Sequence, residues 1–489
     1  MPQDRQPTSR ECSSHFAASG SRRDFLARAG GGFGSLALAL LMADETAGSE
    51  RSLPGTNDLA GAKRPHFTPR ATNVIWCFLD GGPSHLDLFD PKPQLDRLAG
   101  QPLPASFERP ITAMGRTAFT PLLASKRTFA QHGQSGLWVS DWYPEIATCA
   151  DDLALIRSCH ADALNHVGGI CQMNTGSMLG GRPSLGAWCL YGLGTQCEDL
   201  PGYVVLADNA DNPPGGNRNW GTGFMPAAFQ GTKFRKSGPP ILHLAAADDG
   251  NLARQRSKLD FLQQLNQQHL RQRGDDDYLE ARIASYELAF RMQSSAPRAI
   301  DLADESAETR ALYGLDQKDT HRNGMNCLLA RRLVERGVRC VQLYMGSGSK
   351  WDAHSDVEGN HALHCRESDR PIAGLLKDLK RRGLLETTLV IWGGEFGRTP
   401  MSESGNGRDH NPYGFSMWMA GGGIKPGVTY GATDDIGLYA VENKAHVNDI
   451  HATILHLLGL DHEQLTLVHN GRAERLTNVA GKVIQQIVA

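Results

Sequence analysis

Carboxylates and imidazoles gather at the ends of apolar runs in this chain. The run NVIWCFLD stops at Asp80, two glycines follow, and then come Ser84, His85, Asp87 and Asp90. The run at 337–346 leads into KWDAHSDVEGNHALH, which holds Asp352, His354, Asp356, His361 and His364. A third run stops at Glu395 in GGEFGRTP, and GRDHNPYG soon adds Asp409 and His410. Mixed carboxylate and imidazole donors suit zinc and related divalent ions, whereas all-oxygen sets suit calcium, magnesium or manganese. Each piece alone has a plainer reading. An aspartate after a strand commonly serves a turn or a helix cap, and an isolated histidine is commonly a hydrogen-bonded structural residue. Three strand ends that converge carry more weight. The expected site is a divalent metal centre where those three strand ends meet.

The elements that must position these residues alternate. Short apolar runs at 73–80, 152–159, 203–208, 337–346 and 388–397 read as strands buried on both faces. Amphipathic stretches separate them, among them NCLLARRLVER and the segment with Ile372, Leu375, Leu376 and Leu379 on one face. Strand–helix alternation predicts an α/β fold, a doubly wound mostly parallel sheet with helices on both faces. In such a sheet, ligands collect beyond the carboxyl ends of the strands. Residues 209–240, rich in Gly, Pro and Asn, read as a long loop. Residues 250–325, including FLQQLNQQHLRQR, read as surface helices. Together they form an insertion over about 209–325 on one side of the sheet. HATILHLLGL reads as a core helix with Ile454, Leu457 and Leu458 inward, and His451 on it is a weaker site candidate.

The N-terminus reads as an export signal. Arg22 and Arg23 sit in SRRDFL ahead of the short apolar stretch GGFGSLALALLM, the pattern of a twin-arginine signal peptide. That stretch is too short to span a bilayer comfortably. The expected organisation is a signal over 1–47, a proline-containing linker over 48–70, and a domain over 71–489. The expected location is periplasmic or otherwise extracytoplasmic, reached through the twin-arginine export machinery, with no integral membrane segment after signal removal. The formal net charge of −3 over 489 residues argues against a general nucleic-acid binder. Ten cysteines show no CxxC spacing. Cys77, Cys171 and Cys340 lie in apolar strings and read as buried small hydrophobes.

Taken in order, the signal, FLDGGPSHLDLFDPKP, NTGSMLGGRPSLGAWCLYGLG, GGEFGRTP, GRDHNP and GGGIKPGVTYGATD resemble the DUF1501 family, which is sulfatase-like and alkaline-phosphatase-like. The resemblance runs from about residue 70 onward. It implies one or two divalent metals at the strand ends, with Asp80, Asp352, His354 and His410 matching ligand positions. The Asp-His pair expected after a further strand falls on Glu395-Phe396, so the carboxylate is kept and the histidine is lost. That loss implies a single metal, or a second site completed by other residues such as Asp87.

The resemblance also implies a hydroxyl or thiol nucleophile at a helix start, and there the chain departs. Asn165 and His166 occupy that place in NHVGGICQMNTG, and the sulfatase C-x-P-S-R pattern is absent. Cys171 lies inside the expected helix, and the position of Ser84 matches no nucleophile of the superfamily. His166 remains as a general base, a nucleophile or a metal ligand. Arg398 and Arg182 could fork onto an anionic group, or serve structural ion pairs. The expected activity is metal-dependent hydrolysis of phosphate or sulfate esters. The expected substrate is an anionic ester such as a sulfated or phosphorylated glycan. The competing expectation is a non-catalytic metal- and anion-binding protein on the same fold. A nucleotide-dependent oxidoreductase would need a phosphate loop, and GGGIKPGVTYGATDD lacks the GxGxxG-then-helix context.

Overall fold

The computed structural model describes residues 63–207, 212–234, 252–273 and 277–489. The expected signal peptide and most of the expected linker lie outside the described residues. Residues 63–70 run along the carboxyl end of a late helix, through backbone bonds such as His66 N to Gly459 O and Arg70 N to Leu457 O.

Eleven strands matter for the site. They are β1 (Asn73–Phe78), β2 (Leu153–His160), β3 (Tyr203–Ala207), β4 (Thr232–Lys233), β5 (Cys340–Tyr344), β6 (Thr388–Gly393), β7 (Gly397–Glu403), β8 (Gly407–Asn411), β9 (Phe415–Ala420), β10 (Val428–Tyr430) and β11 (Ala445–His446). Nine of them form one sheet in the order β10-β2-β9-β6-β1-β5-β3-β4, with β11 also paired to β2. All the pairings are parallel except those of β9, which runs against both β2 and β6. The sheet is thus mostly parallel and doubly wound, and each of the five apolar runs read as a strand supplies one.

Alternation along β1 separates the two faces. Ile75 and Cys77 join the core cluster built from α5 (Asp277–Ile300), α6 (His321–Glu335) and α7 (Val357–Arg381). Val74, Trp76 and Phe78 join the cluster built from α2 (His166–Thr175), α3 (Leu185–Leu193) and α8 (Val447–Leu457). The period of two sends neighbouring side chains to opposite faces, and helices cover both. Trp392 on β6 and Trp418 on β9 stack nearly parallel across an antiparallel pair, with ring centroids 6.0 Å apart.

The expected insertion supplies the paired helices α4 (Leu252–Arg273) and α5, but the stretch read as a loop also contributes a sheet strand, since β4 within it pairs with β3. Arg256 grips both carboxylate oxygens of Glu287 across that pair. Met292, Ala296 and Ala299 of α5 reach the core, so the insertion packs on the sheet through one helix. One turn of helix, α1 (His85–Leu88), follows β1. Among the described residues no helix is long and apolar enough to cross a membrane.

All nine cysteines among the described residues are buried free thiols. Burial pushes the Cys159 thiol well above its usual range, which fits inert packing rather than chemistry.

Candidate metal centre

Register brings the three strand ends together. Phe78 lies level with Tyr344 on one side and Gly393 on the other. Asp80, the turn at 346–352 and Glu395 therefore leave the same edge of the sheet. Antiparallel β9 separates β2 from β6, so β2 points the same way. Its carboxyl end delivers the chain to Asn165, whose side chain caps α2 by accepting from Gly168 N at 2.9 Å. That cap places His166 at the first position of the helix. Gly169 lets the helix approach closely, since a Cβ there would sit 3.1 Å from the Glu395 side chain.

The β7–β8 hairpin supplies the rest. His410 pairs across it with Arg398. The hairpin docks on the segment after β5, with Arg408 N donating to Ala353 O at 2.9 Å. A Cβ at Gly407 would meet the His354 carbonyl, so the close approach requires glycine.

Ligand atoms of His166, Asp352, His354 and His410 all lie within 4.8 Å of one another. Asp352 sits at the centre. His166 Nε2 is 3.1 Å from its Oδ2, while His354 Nε2 at 3.1 Å and His410 Nε2 at 3.4 Å face its Oδ1. Behind each ring, Nδ1 has a partner of its own. His166 Nδ1 meets Glu395 Oε1 at 2.7 Å, His354 Nδ1 meets Glu403 Oε2, and His410 Nδ1 meets the Leu164 carbonyl at 2.7 Å. An Nδ1–H donated backward leaves the Nε2 lone pair facing forward. Three such lone pairs around one carboxylate repel, unless protons or a cation lie between them. Carboxylates and carbonyls behind ligating histidines are the usual outer support of metal sites.

The electrostatics agree with that geometry. Burial alone would lower the pKa of His166, but Asp352 and Glu395 outweigh it and raise it to about 9. Burial would raise Asp352, but hydrogen bonds from His166 and His410 and the charge of Arg398 hold it far below the usual carboxylate range. Burial lowers His410, against the pull of Asp352. Without an ion, the two carboxylates on either side of the His166 ring favour its protonated form.

The remaining candidates take other places. Asp80 is buried, and its Oδ2 accepts from Gly348 N at 3.2 Å and Ser349 N at 3.3 Å. Glu395 is also buried. Its Oε1 accepts from Gly81 N at 2.9 Å as well as contacting His166, so it supports a ligand rather than joining the converging group. Asp87 lies in a fully buried ion pair with Arg408 (Nε to Oδ2, 2.9 Å) and accepts from Ser84 Oγ, which takes both away from the cluster. Asn165 spends its side-chain oxygen on the helix cap.

Arg398 is completely buried. It donates to the Gly81, Gly82 and Arg408 carbonyls and to Asp352 Oδ1 at 2.7 Å. It pins Asp352, and the expectation that it forks onto an incoming anion does not match that placement. Arg182 pairs with Glu474 at 2.9 Å. His361 accepts from Ser84 N at 2.8 Å, and His451 Nε2 contacts the Met173 carbonyl at 2.8 Å, so both are structural.

Phe396 stands where the resemblance expects a histidine. Its ring stacks on His410 with centroids 4.4 Å apart and lies 5.2 Å from His166, forming an apolar wall behind two ligand rings. Glu403 carries no sequence signal. It ends β7 in an unremarkable PMSES stretch, and only the hairpin brings it to His354.

The DUF1501 family, described as a protein of unknown function, matches residues 71–488. The chain belongs to that family. No curated protein matches it. Among solved structures, it is similar to the phosphonate monoester hydrolase SpPMH from Silicibacter pomeroyi, at 12% identity over 70% of this chain and 71% of that one, with a TM-score of 0.33. It is also similar to alkaline phosphatase from the Antarctic bacterium TAB5, at 11% identity over 82% and 99% of the two chains, with a TM-score of 0.33. The PsFucS1 sulfatase from Pseudoalteromonas sp. gives 13% identity, 83% and 74% coverage, and a TM-score of 0.33.

Proposed function

We propose that this DUF1501 protein is an exported metal-dependent hydrolase of phosphate or sulfate esters. The observation that carries the reading is the convergence of three back-supported histidines on Asp352. Three imidazoles and one carboxylate fit zinc or a similar transition ion better than calcium or magnesium, which take oxygen ligands. His166, Asp352, His354 and His410 would hold it. Bound there, a divalent ion supplies positive charge that polarises an anionic ester and favours ionisation of water near neutral pH.

The chain's own residues do the rest. Glu395, Glu403 and the Leu164 carbonyl fix the imidazole tautomers. Arg398 fixes Asp352. Phe396 keeps water from one side of His166 and His410. The side chains of Asp352 and His354 remain about one quarter exposed, so the centre is open to a substrate from that side. No hydroxyl or thiol stands at the start of α2, which favours attack by water over a covalent intermediate on that helix. The twin-arginine pattern at Arg22 and Arg23 supports export after folding, with the ion loaded beforehand.

The test is metal content and turnover of the purified protein. Zinc or a similar ion at about one per chain is expected, with hydrolysis of an aryl phosphate, phosphodiester or sulfate that falls to background in His166→Ala and Asp352→Ala. Protein that binds no divalent ion overturns the reading. Metal-loaded protein that binds phosphate or sulfate but turns over no ester leaves a non-catalytic binder on the same fold.

A further inference from the structure

Two parts of the metal centre come from one short segment. Residues 161–165 join β2 to α2. Within them, the Leu164 carbonyl accepts from His410 Nδ1 at 2.7 Å, and the Asn165 side chain caps the helix that begins at His166. A shift of this connection would move the support of one ligand and the base of another together. Its first residue is already fixed, because Ala161 N donates to the Pro412 carbonyl at 2.8 Å.

A buried amide fixes the rest. Gln172 lies nearly two turns into α2 and is 3% exposed. Its Oε1 accepts from Asp162 N at 3.0 Å, and its Nε2 donates to Asp162 Oδ2. Both ends of one amide thus close on one residue, and the ring they form holds the connection against the helix. Asp162 Oδ2 also meets His446 Nε2 at 3.1 Å. His446 Nδ1 accepts from Asn448 N at the start of α8, so the neutral ring carries its proton on Nε2 and donates it to Asp162. For packing alone, an apolar side chain would serve at 172 as it does at the buried Ile170 and Met173. A buried amide costs free energy unless its hydrogen bonds are made, and here they are made to the connection that carries Leu164 and Asn165.

We propose that Gln172 is a positioning residue of the metal centre. Its amide, closed on Asp162, sets the Leu164 carbonyl behind His410 and the entry of the chain into His166. It touches neither ion nor substrate. The assignment rests on the reading of His166, Asp352, His354 and His410 as the metal site, and it does not depend on turnover.

The test uses the full chain. Gln172→Met keeps an unbranched side chain and removes both bonds. Asp162→Ala removes the carboxylate from a side chain that is 55% exposed, so that variant should fold whatever Gln172→Met does. Asp162→Asn keeps an oxygen that can accept from Gln172 Nε2. Zinc affinity, read by competition with a chelating dye, should fall about tenfold in Gln172→Met, the lower end of the loss typical when support behind ligands is removed. Asp162→Ala should fall in the same direction but less, since its backbone N–H still reaches Gln172, and Asp162→Asn should match wild type. Combining Gln172→Met with Asp162→Ala should lower affinity no further than Gln172→Met alone, because the two side chains act as one clasp. In the zinc-loaded protein, the His410 Nδ1 proton held on the Leu164 carbonyl should exchange with solvent faster in Gln172→Met, as read by NMR.

Wild-type zinc affinity in folded Gln172→Met or in Asp162→Ala overturns the assignment and leaves the metal reading intact. A Gln172→Met protein that melts lower yet keeps zinc affinity and His410 proton exchange shows that Gln172 only packs, and the assignment fails. Strictly additive losses in the double variant also defeat it, because they would mean two independent effects. Wild type that binds no divalent ion overturns the metal reading itself, and the assignment with it.

Discussion

His166 Nδ1 lies 2.7 Å from Oε1 of Glu395, a carboxylate that solvent does not reach. The bond fixes the His166 tautomer and turns Nε2 toward Asp352. Glu395→Gln retains an oxygen that can accept from Nδ1 but removes the charge. Removing such outer support typically costs 10–100-fold in metal affinity. Zinc affinity of Glu395→Gln, measured by competition with a chelating dye, should fall by about tenfold, and Glu395→Ala should fall further. Unchanged affinity in both would show that Glu395 does not orient the ligand.

Asp352 faces three imidazoles and one guanidinium, so its charge sets the protonation of its neighbours. Asp352→Asn should abolish stoichiometric zinc binding. It should also lower the His166 pKa of the metal-free protein from about 9 toward the ordinary histidine value, as read by NMR titration of the ring. The sign for stability follows. A raised folded-state pKa contributes stability that is fully present below the unfolded value near 6.5 and is lost as pH rises through about 9. Metal-free wild type should therefore lose thermal stability across that window. Asp352→Asn should lose less over the same range.

Much of this arrangement can be read from the chain and part of it cannot. Continuous apolar runs ending in Asp80, in the segment before Asp352, and in Glu395 announce buried parallel strands and their functional edge, because both properties follow from burial and chain direction. Which carboxylate ligates and which supports is a matter of a few ångströms of register. Glu395 reads as a ligand and instead backs His166. Asp87 reads as a spare ligand and instead neutralises Arg408. Glu403 reads as nothing, because only the β7–β8 hairpin brings it to His354. His361 and His364 look like members of a metal-rich loop. In fact Asp356 caps a helix beginning at Val357, which turns His361 into the core.

Three histidines are buried in forms that resist protonation. Burial lowers His85 to about 4, His361 to about 3 and His451 to about 4. His361 is the clearest case. Its Nε2 accepts from Ser84 N, and protonation would set two N–H groups against each other. A lowered folded-state pKa gives stability that is whole above the unfolded value near 6.5 and is lost as pH falls toward the folded value. Each group is worth on the order of 3 kcal/mol over that window. Asp369, which burial raises to about 6 despite bonds from Glu145 N and Ile146 N, works the other way and offsets about one of them. The net expectation is a melting temperature that drops steeply between pH 6.5 and 4. His361→Gln, which keeps an acceptor for Ser84 N, should flatten that drop. A melting temperature independent of pH over this range would contradict the buried-neutral assignment.

Asp87 and Arg408 form an ion pair with no exposure on either side chain. Arg408 also donates to the Thr399 carbonyl at 3.1 Å, which ties α1 to β7. Removing one partner of a buried pair leaves an uncompensated charge and typically costs 3–5 kcal/mol, whereas replacing both with apolar groups can be close to neutral. Asp87→Leu and Arg408→Met should each lower stability by about that amount in urea unfolding, and the double variant should recover a large part of it. The same experiment separates Asp87 from the metal. The double variant, once folded, should bind zinc at wild-type stoichiometry, because none of the four converging ligand residues has been touched. Loss of zinc from a well-folded double variant would return Asp87 to the ligand set.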